Sequence, residues 1–371
     1  MGNYCCKKNK IFTEYWDNRK IKYQGEYKDN NRNGFGIEFL ENGRKYYEGK
    51  WLNNKKNGFG ILYRRTGIEN CKLYEGEWNN NLKHKGKEYI NCNHLIFEGT
   101  YENNLKNGYG LLYSKINNNI IYDGFWKNDE KSGKGKMFND DGNILYDGIW
   151  ENDSIIEGIE FNKNKNYKKF EGIFDYELYK KGILYNSNNI KYYEGDFDYG
   201  IPNGLGKIFD TLGNIIYKGE ILRGEKHGKG IEYKENNEIY YKGNYINNVK
   251  EGKGELYLDN IYYKGTFLNN SKNCNGKYYL NNKLLYDGEW LNDKYHGNGK
   301  LYHKDDEILF YEGQFRNGLR TGYGTLYFKN GNILYKGHWL NNTTWGEGSE
   351  YDIDGNLIYH GMWEYNKKKI N

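Results

Sequence analysis

The first ten residues carry the side chains of the chain that are best suited to covalent chemistry. The sequence begins M-G-N-Y-C-C-K-K-N-K, with Gly2 followed by Cys5 and Cys6, two of only five cysteines in 371 residues. Glycine at position 2 is the acceptor for N-myristoylation, and a nearby cysteine thiol accepts palmitate. The template M-G-x-x-x-[ST] asks for Ser or Thr at position 6, where this chain has Cys6. The segment nevertheless resembles dually acylated N-termini, and we predict lipidation at Gly2, Cys5 and Cys6.

Lysines support the same interpretation. Lys7, Lys8 and Lys10 follow the cysteines, and each would contribute ~1 kcal/mol near an anionic leaflet. One myristoyl chain binds a membrane only marginally, whereas a second chain makes the attachment stable. We therefore predict a flexible anchor segment over residues 1–22 that holds the protein peripherally at the cytosolic face of a membrane. Further residues of this segment suit a lipid interface: Arg19, Lys20, Lys22, Phe12, Tyr15 and Trp16.

One short stretch has residue types that bind metals. Cys71, His84, Cys92 and His94 lie within 24 residues, but their spacing matches no established zinc pattern. We therefore expect an incidental cluster and no metal. Because the cysteine count is odd and no secretory signal peptide is present, we also expect a reducing compartment and no disulfide framework.

Catalytic arrangements are not recognisable in the sequence. The seven histidines are scattered and form no Ser/His/Asp set. Segments such as Gly34-Phe35-Gly36 lack the full G-x-G-x-x-G pattern of a phosphate loop before a helix. We predict a non-enzymatic protein with no catalytic residue and no cofactor.

The composition favours β structure built from aromatic side chains and glycine turns. There are 49 glycines, 41 tyrosines and a single proline, and 18% of the residues are aromatic. Such a content of aromatic residues is too high for a disordered chain. The net charge of +5 is too small to indicate nucleic acid as a partner. No apolar stretch is long enough to span a membrane as a helix.

A repeat of about 24 residues explains the composition. An aromatic-x-Gly triplet occurs fifteen times between residues 23 and 361, and a second glycine follows ten or eleven residues after the glycine of each of the first fourteen triplets. Residues at −2, 0 and +2 from the first glycine share one face of a strand. A polar turn and a second strand complete a β-hairpin. Three residues separate the second glycine from its aromatic residue, which requires a bulge or a strand end.

Stacked hairpins are the expected fold, because a unit of this size cannot bury its aromatic face alone. We predict an all-β, elongated, single-layer sheet of about fourteen complete repeats and a terminal half repeat. The unit Y-E-G-x-W-x-N-x-K-x-x-G-x-G-x-x-Y closely resembles the membrane occupation and recognition nexus (MORN) repeat. The resemblance covers residues 23–363 and leaves a basic tail at 364–371. It implies stacked hairpins, frequent dimerisation, and scaffold work at membranes and the cytoskeleton.

A single-layer sheet has no second layer to cover its aromatic face, and open aromatic surface is typical of binding sites. We predict a partner groove formed by seven tryptophans: Trp51, Trp78, Trp126, Trp150, Trp290, Trp339 and Trp363. The residue before each repeat glycine is acidic from Glu48 to Glu194 and then mostly lysine, as at Lys218 and Lys242. This change indicates either a head-to-tail contact in a homodimer or an ordinary solvated face.

The leading functional hypothesis is an acyl-anchored scaffold that recruits protein partners of the cytoskeletal or membrane-complex class. Resemblance to protist members of the family implies the cortical cytoskeleton, at the plasma membrane or the inner membrane complex. Two alternatives remain open: a module that binds acidic phospholipids through the repeats, and a regulatory subunit of a separate enzyme.

Overall fold

The chain folds into consecutive antiparallel β-strands. The computed structural model describes residues 10–67, 70–92, 94–164 and 167–369, and within them only strands, turns and bends occur. Among these residues there is accordingly no helix of the length and apolarity needed to cross a membrane. The chain divides into two compact units, the first ending at Asn189 and the second beginning at Ile190.

In the first unit each strand pairs with its neighbours in sequence, from β1 to β15. The strands are β1 Lys10–Tyr15, β2 Ile21–Lys28, β3 Asn31–Phe39, β4 Lys45–Leu52, β5 Lys55–Tyr63, β6 Lys72–Asn79, β7 Leu82–Ile90, β8 His94–Glu102, β9 Leu105–Tyr113, β10 Ile120–Lys127, β11 Glu130–Phe138, β12 Ile144–Glu151, β13 Ser154–Phe161, β14 Lys168–Asp175 and β15 Leu178–Tyr185.

The second unit repeats the same antiparallel pattern. Its strands are β16 Lys191–Asp198, β17 Ile201–Phe209, β18 Ile215–Leu222, β19 Glu225–Tyr233, β20 Ile239–Ile246, β21 Val249–Tyr257, β22 Ile261–Leu268, β23 Ser271–Leu280, β24 Lys283–Leu291, β25 Lys294–Tyr302, β26 Leu309–Arg316, β27 Leu319–Tyr327, β28 Ile333–Leu340, β29 Thr343–Tyr351, β30 Leu357–Glu364 and β31 Lys367–Lys368. The predicted all-β fold of stacked β-hairpins is confirmed.

Each hairpin closes through a two-residue turn. In the hairpin of β4 and β5, Asn53 and Asn54 have φ angles of 47° and 65°. Positive φ at both central residues is the hallmark of a type I′ turn, whose twist matches that of the strands it joins, and asparagine tolerates this conformation better than most residues. The second strand therefore starts at Lys55, three residues before the first glycine of the segment Gly58-Phe59-Gly60.

The repeat glycines face one another across neighbouring strands. Gly49 is the register partner of Gly60 on one side and of Gly36 on the other. The ring of Tyr47 lies over this row, and a Cβ added at Gly49 would stand only 2.7 Å from Tyr47 Oη. Glycine is required here because the ring packs directly on the backbone. A register shift between Leu62 and Tyr63 confirms the predicted irregularity after the second glycine.

The boundaries of the predicted anchor and tail differ from the structure. Strand β1 pairs with β2, and the Phe12 ring packs 5.3 Å from that of Tyr27. The indole of Trp16 donates a hydrogen bond to Phe39 O at 3.2 Å. The segment predicted to be flexible up to residue 22 is therefore part of the sheet from Lys10 onwards. At the other end, Lys367–Lys368 of the predicted tail pair with β30.

Candidate functional site

The predicted lipidation sites Gly2, Cys5 and Cys6 lie outside the described residues, as do Lys7 and Lys8. Their roles stay predictions. Lys10, the last of the predicted membrane-facing lysines, is the first residue of β1, and its side chain is exposed.

The seven tryptophans lie in the core. Their exposed fractions are between 4% and 7%, which differs from the open groove expected from the sequence. Each indole N–H donates to the carbonyl of a repeat glycine in the preceding strand, as from Trp51 to Gly36 O at 3.3 Å. The same bond recurs at the other six tryptophans. Their role in binding a partner is still only a prediction, and such a partner would first have to reach buried rings.

The rings bury one another edge to face. Trp51 lies 5.2 Å from Tyr47 and 5.4 Å from Tyr23, with interplanar angles of 89° in both cases. Trp78 continues the row, 5.6 Å from Tyr47. Edge-to-face contacts of this kind add about 0.5–1.5 kcal/mol each beyond the burial of area. A sheet without a second layer thus obtains a core from a ladder of alternating tyrosine and tryptophan.

Cationic side chains cover this ladder, and this is why the tryptophans are inaccessible. Lys56 Nζ lies 4.8 Å from the ring centre of Tyr47 and 5.5 Å from that of Trp78, and 3.7 Å from a Glu38 carboxylate oxygen. Cation–π contacts on desolvated rings are worth about 1–2 kcal/mol. In the first unit the same position holds Arg32, Lys83, Lys106 and Lys131; in the second it holds Lys226, Lys250, Lys272, Arg320 and Lys368.

Sequence reasoning missed the role of these cations. Each stands seven residues after a repeat glycine, as Lys56 does after Gly49. This constant offset is the sequence signal from which the covering cations could have been predicted. At two of the positions that hold another residue type, that residue packs into the ring ladder itself. Ile155 is 3% exposed, and Tyr295 stacks on Tyr286 with ring centres 3.8 Å apart.

The opposite face of the sheet carries the acidic residues that precede the repeat glycines. Glu171 accepts hydrogen bonds from Lys168 Nζ at 2.9 Å and Tyr185 Oη at 2.7 Å. These bonds lower the pKa of Glu171, because both stabilise the carboxylate. Around Glu75, burial and the neighbouring carboxylate together raise the pKa of Tyr89 to about 12. A contact between copies through this acidic row would have to replace such bonds, and the predicted homodimer stays a prediction.

Aromatic side chains on this opposite face remain accessible. Phe35 and Phe59 are 50% and 52% exposed, and Tyr109 and Phe125 are 49% and 48% exposed. Tyr109 and Phe125 are register partners on adjacent strands, with ring centres 5.8 Å apart. These four accessible aromatic side chains of the first unit therefore lie on the face opposite the tryptophans.

Two of the cysteines form a disulfide. Cys71 precedes β6, Cys92 follows β7, and their sulfurs are bonded with the Cα atoms 4.1 Å apart. The expectation that the chain has no disulfide is therefore wrong for this pair, because stacking brings together connectors that are distant in sequence. His94 Nε2 instead contacts Ser114 O at 2.7 Å. Within the described part of the chain, no three His, Cys, Asp or Glu side chains are grouped closely enough to hold a metal ion.

Comparison with known proteins agrees with the repeat geometry. The family model described as "MORN repeat" matches eleven segments that together exceed half of the chain: 23–43, 47–68, 74–84, 97–118, 122–144, 193–209, 217–238, 241–260, 286–306, 311–333 and 335–357. The repeats that start at Gly148, Gly172 and Gly265 lie outside these segments, yet each forms a hairpin of the same type.

Similarity to individual proteins is local. The chain is 45% identical to alsin of Rattus norvegicus and to alsin of Homo sapiens over 58 residues, which is 15% of this chain and 3% of alsin. A crystal structure of TcdB2-TccC3 without its hypervariable C-terminal region aligns with 96% of this chain and 18% of its own, at 11% identity and a TM-score of 0.14.

Proposed function

Because the chain belongs to the MORN repeat family, we propose that it is a non-enzymatic scaffold, anchored by acylation at the cytosolic face of a membrane, that recruits protein partners through its repeats. The family is associated with membranes and with binding. The finer assignment draws on the N-terminal lipidation pattern and on the accessible aromatic residues of the first unit.

The observation that carries the scaffold proposal is the placement of accessible aromatic side chains in register on one face. Phe35 and Phe59 occupy the same position of two successive repeats, and Tyr109 occupies it two repeats later. Corresponding positions are separated by two strands, or about 10 Å. Exposed aromatic residues are enriched in protein–protein interfaces, so aromatic side chains placed one and two repeats apart on the same face suit an extended protein partner.

The setting that we propose is the plasma membrane or the inner membrane complex of a protist, with cytoskeletal or membrane-complex proteins as partners. The bias towards Asn, Lys, Ile and Tyr in the sequence is typical of AT-rich genomes, and protist members of the family work at the cell cortex. Acylation at Gly2, Cys5 and Cys6 supplies the attachment, since two acyl chains hold a protein stably where one does not.

Metabolic labelling with alkyne fatty acids tests the anchor. We expect myristate on the wild-type chain and none on Gly2→Ala, and palmitate lost from Cys5→Ser/Cys6→Ser. Both variants should move from the membrane to the soluble fraction, whereas Cys274→Ser should behave as the wild type. Wild-type protein without label, or Gly2→Ala that still incorporates myristate, would refute the acyl anchor.

A further inference from the structure

We propose that β1 is a membrane-docking strand: its outer edge, away from β2, and the basic loop after it contact the anionic headgroups and the acyl boundary of the membrane to which the chain is anchored. This deepens the proposed function and rests on it for the position of the membrane. The contact would be separate from the acyl chains and from the aromatic row assigned to protein partners.

The side chains of β1 are unusually accessible for an ordered strand. Ile11 is 73% exposed, Tyr15 is 61% exposed and Phe12 is 50% exposed. In the described part of the chain β1 pairs only with β2, so no described strand covers its other edge. Long, apolar, exposed edges are aggregation hazards that proteins normally cover or charge. Three large apolar side chains on such an edge therefore indicate that something covers them.

The charge around β1 selects the kind of partner. Lys10 begins the strand, and Arg19, Lys20 and Lys22 follow it closely. Lys22 Nζ lies 4.8 Å from the Trp16 ring, which keeps this cation on the loop. The strand and loop contain two acidic residues. Glu14 is paired with Arg32 at 2.6 Å, so Asp17 is the acidic residue that opposes the cations of this segment. The combination of apolar side chains with a basic rim is typical of segments that lie in the interface of an anionic membrane.

The position of β1 in the chain places it close to that membrane. Lys10 is the fourth residue after Cys6. A fully extended chain spans at most about 3.5 Å per residue, so Lys10 lies no more than ~14 Å from an acylated Cys6 along the chain. Strand β1 is thus held within reach of the headgroups.

A second copy of the chain is the competing occupant, because an open edge can pair with another strand. Pairing β1 with β1 would bring two basic loops together, and such like charges oppose association. An anionic lipid surface satisfies the apolar residues and the cations at once, and it is therefore the partner that the charges favour.

Vesicle sedimentation of the unacylated full-length chain, made in bacteria, tests this proposal. We expect binding to phosphatidylcholine vesicles that contain phosphatidylserine, weaker binding to phosphatidylcholine alone, and a decrease with added salt. Ile11→Ser/Tyr15→Ser should reduce the binding constant roughly tenfold or more, since two apolar side chains no longer enter the interface. The matched control Ile116→Ser/Tyr176→Ser changes residues that are 80% and 92% exposed elsewhere in the first unit and should bind as the wild type.

Hydrogen exchange without vesicles shows whether β1 of the double variant stays paired with β2. The proposal is overturned if the wild-type chain does not bind the anionic vesicles, or if the double variant with an intact β1 binds equally well. It is also overturned if light scattering shows that the wild-type chain is a dimer and the double variant is a monomer. The edge of β1 would then pair with a second copy of the chain. These experiments use unacylated protein, so a negative result leaves the proposal of an acyl anchor unaffected. A negative result of the labelling test likewise leaves the vesicle binding of β1 unaffected.

Discussion

Asn81 and Lys56 are joined by a reciprocal pair of hydrogen bonds between neighbouring hairpins. Lys56 N donates to Asn81 Oδ1 at 2.7 Å, and Asn81 N donates to Lys56 O at 2.9 Å. Asn81 is the second residue of its turn, with φ of 73°. The same pair of bonds recurs at Lys226 and Asn248 in the second unit. One asparagine therefore closes its own hairpin and attaches it to the one before.

Substitutions at Asn81 should separate these two roles. Asn81→Gly keeps the left-handed conformation but removes the side-chain acceptor, and we expect it to lower the free energy of unfolding by ~1 kcal/mol. Asn81→Ala should cost about 1 kcal/mol more, because alanine is strained at positive φ. Urea denaturation of the full chain measures both. Asn80→Gly, in the other position of the same turn, is the control and should have little effect; equal losses for Asn80→Gly and Asn81→Gly would contradict the role of the acceptor.

The hairpin fold was predictable because the glycines and aromatic residues recur at positions that local strand geometry relates. The hydrogen bonds between hairpins were not predictable, since they join residues more than twenty positions apart in the sequence. Pro202 shows how such a pair depends on two distant residues. Gly224 N, in the next turn, donates to Pro202 O at 2.8 Å. The second bond of the pair is missing, because Pro202 has no N–H and Gly224 has no side-chain acceptor. Burial of the tryptophans was misjudged for the same reason, because Lys56 and its equivalents cover rings of another strand. Nothing in the repeat pattern indicated β1.

Removing the charge of Lys56 should destabilise the ring ladder. Lys56→Met keeps an apolar chain of similar length but loses the contacts of the ammonium group with three rings and with Glu38. We expect a loss of about 1–2 kcal/mol in the free energy of unfolding. The neighbouring Lys55, whose side chain is exposed, gives the control Lys55→Met, which should be close to neutral. Equal free energies of unfolding for the two variants would show that the charge of Lys56 does not stabilise the ring ladder.

Partner recruitment should depend on accessible aromatic residues and not on the tryptophans. Proximity labelling from the membrane-anchored chain in its own cell gives the set of neighbours. Phe59→Ser/Phe125→Ser should reduce the labelling of direct partners severalfold without unfolding the sheet, because both side chains are about half exposed. The control Ile116→Ser/Tyr176→Ser should leave the set unchanged. If labelling persists in the phenylalanine variant, the partner surface lies elsewhere.

The Cys71–Cys92 bond should stabilise the first unit. It closes a loop with a sequence separation of 21 residues, for which chain entropy predicts about 3 kcal/mol. We expect Cys71→Ser/Cys92→Ser to lower the thermal midpoint and to abolish the effect of a reducing agent on it. Cys274 is the exposed free cysteine of the described chain. Cys274→Ser should therefore change neither the thermal midpoint nor the effect of the reducing agent on it. A reducing agent that shifts the wild type and the double variant equally would mean that the bond contributes nothing.

Strand β1 should detach in acid. The hydrogen bond from Arg32, helped by its charge, lowers the pKa of Glu14 below its ordinary value, so folding favours the carboxylate. This contribution is complete above the unfolded pKa of about 4.3 and disappears as the pH falls through the lower folded pKa. Hydrogen exchange of the β1 amides, corrected for the intrinsic rate, should therefore accelerate below about pH 4 while the amides of β4 and β5 stay protected. Glu14→Gln should show the faster exchange already at neutral pH and lose most of its pH dependence; a wild-type profile in that variant would mean that Phe12 and Trp16 alone hold the strand.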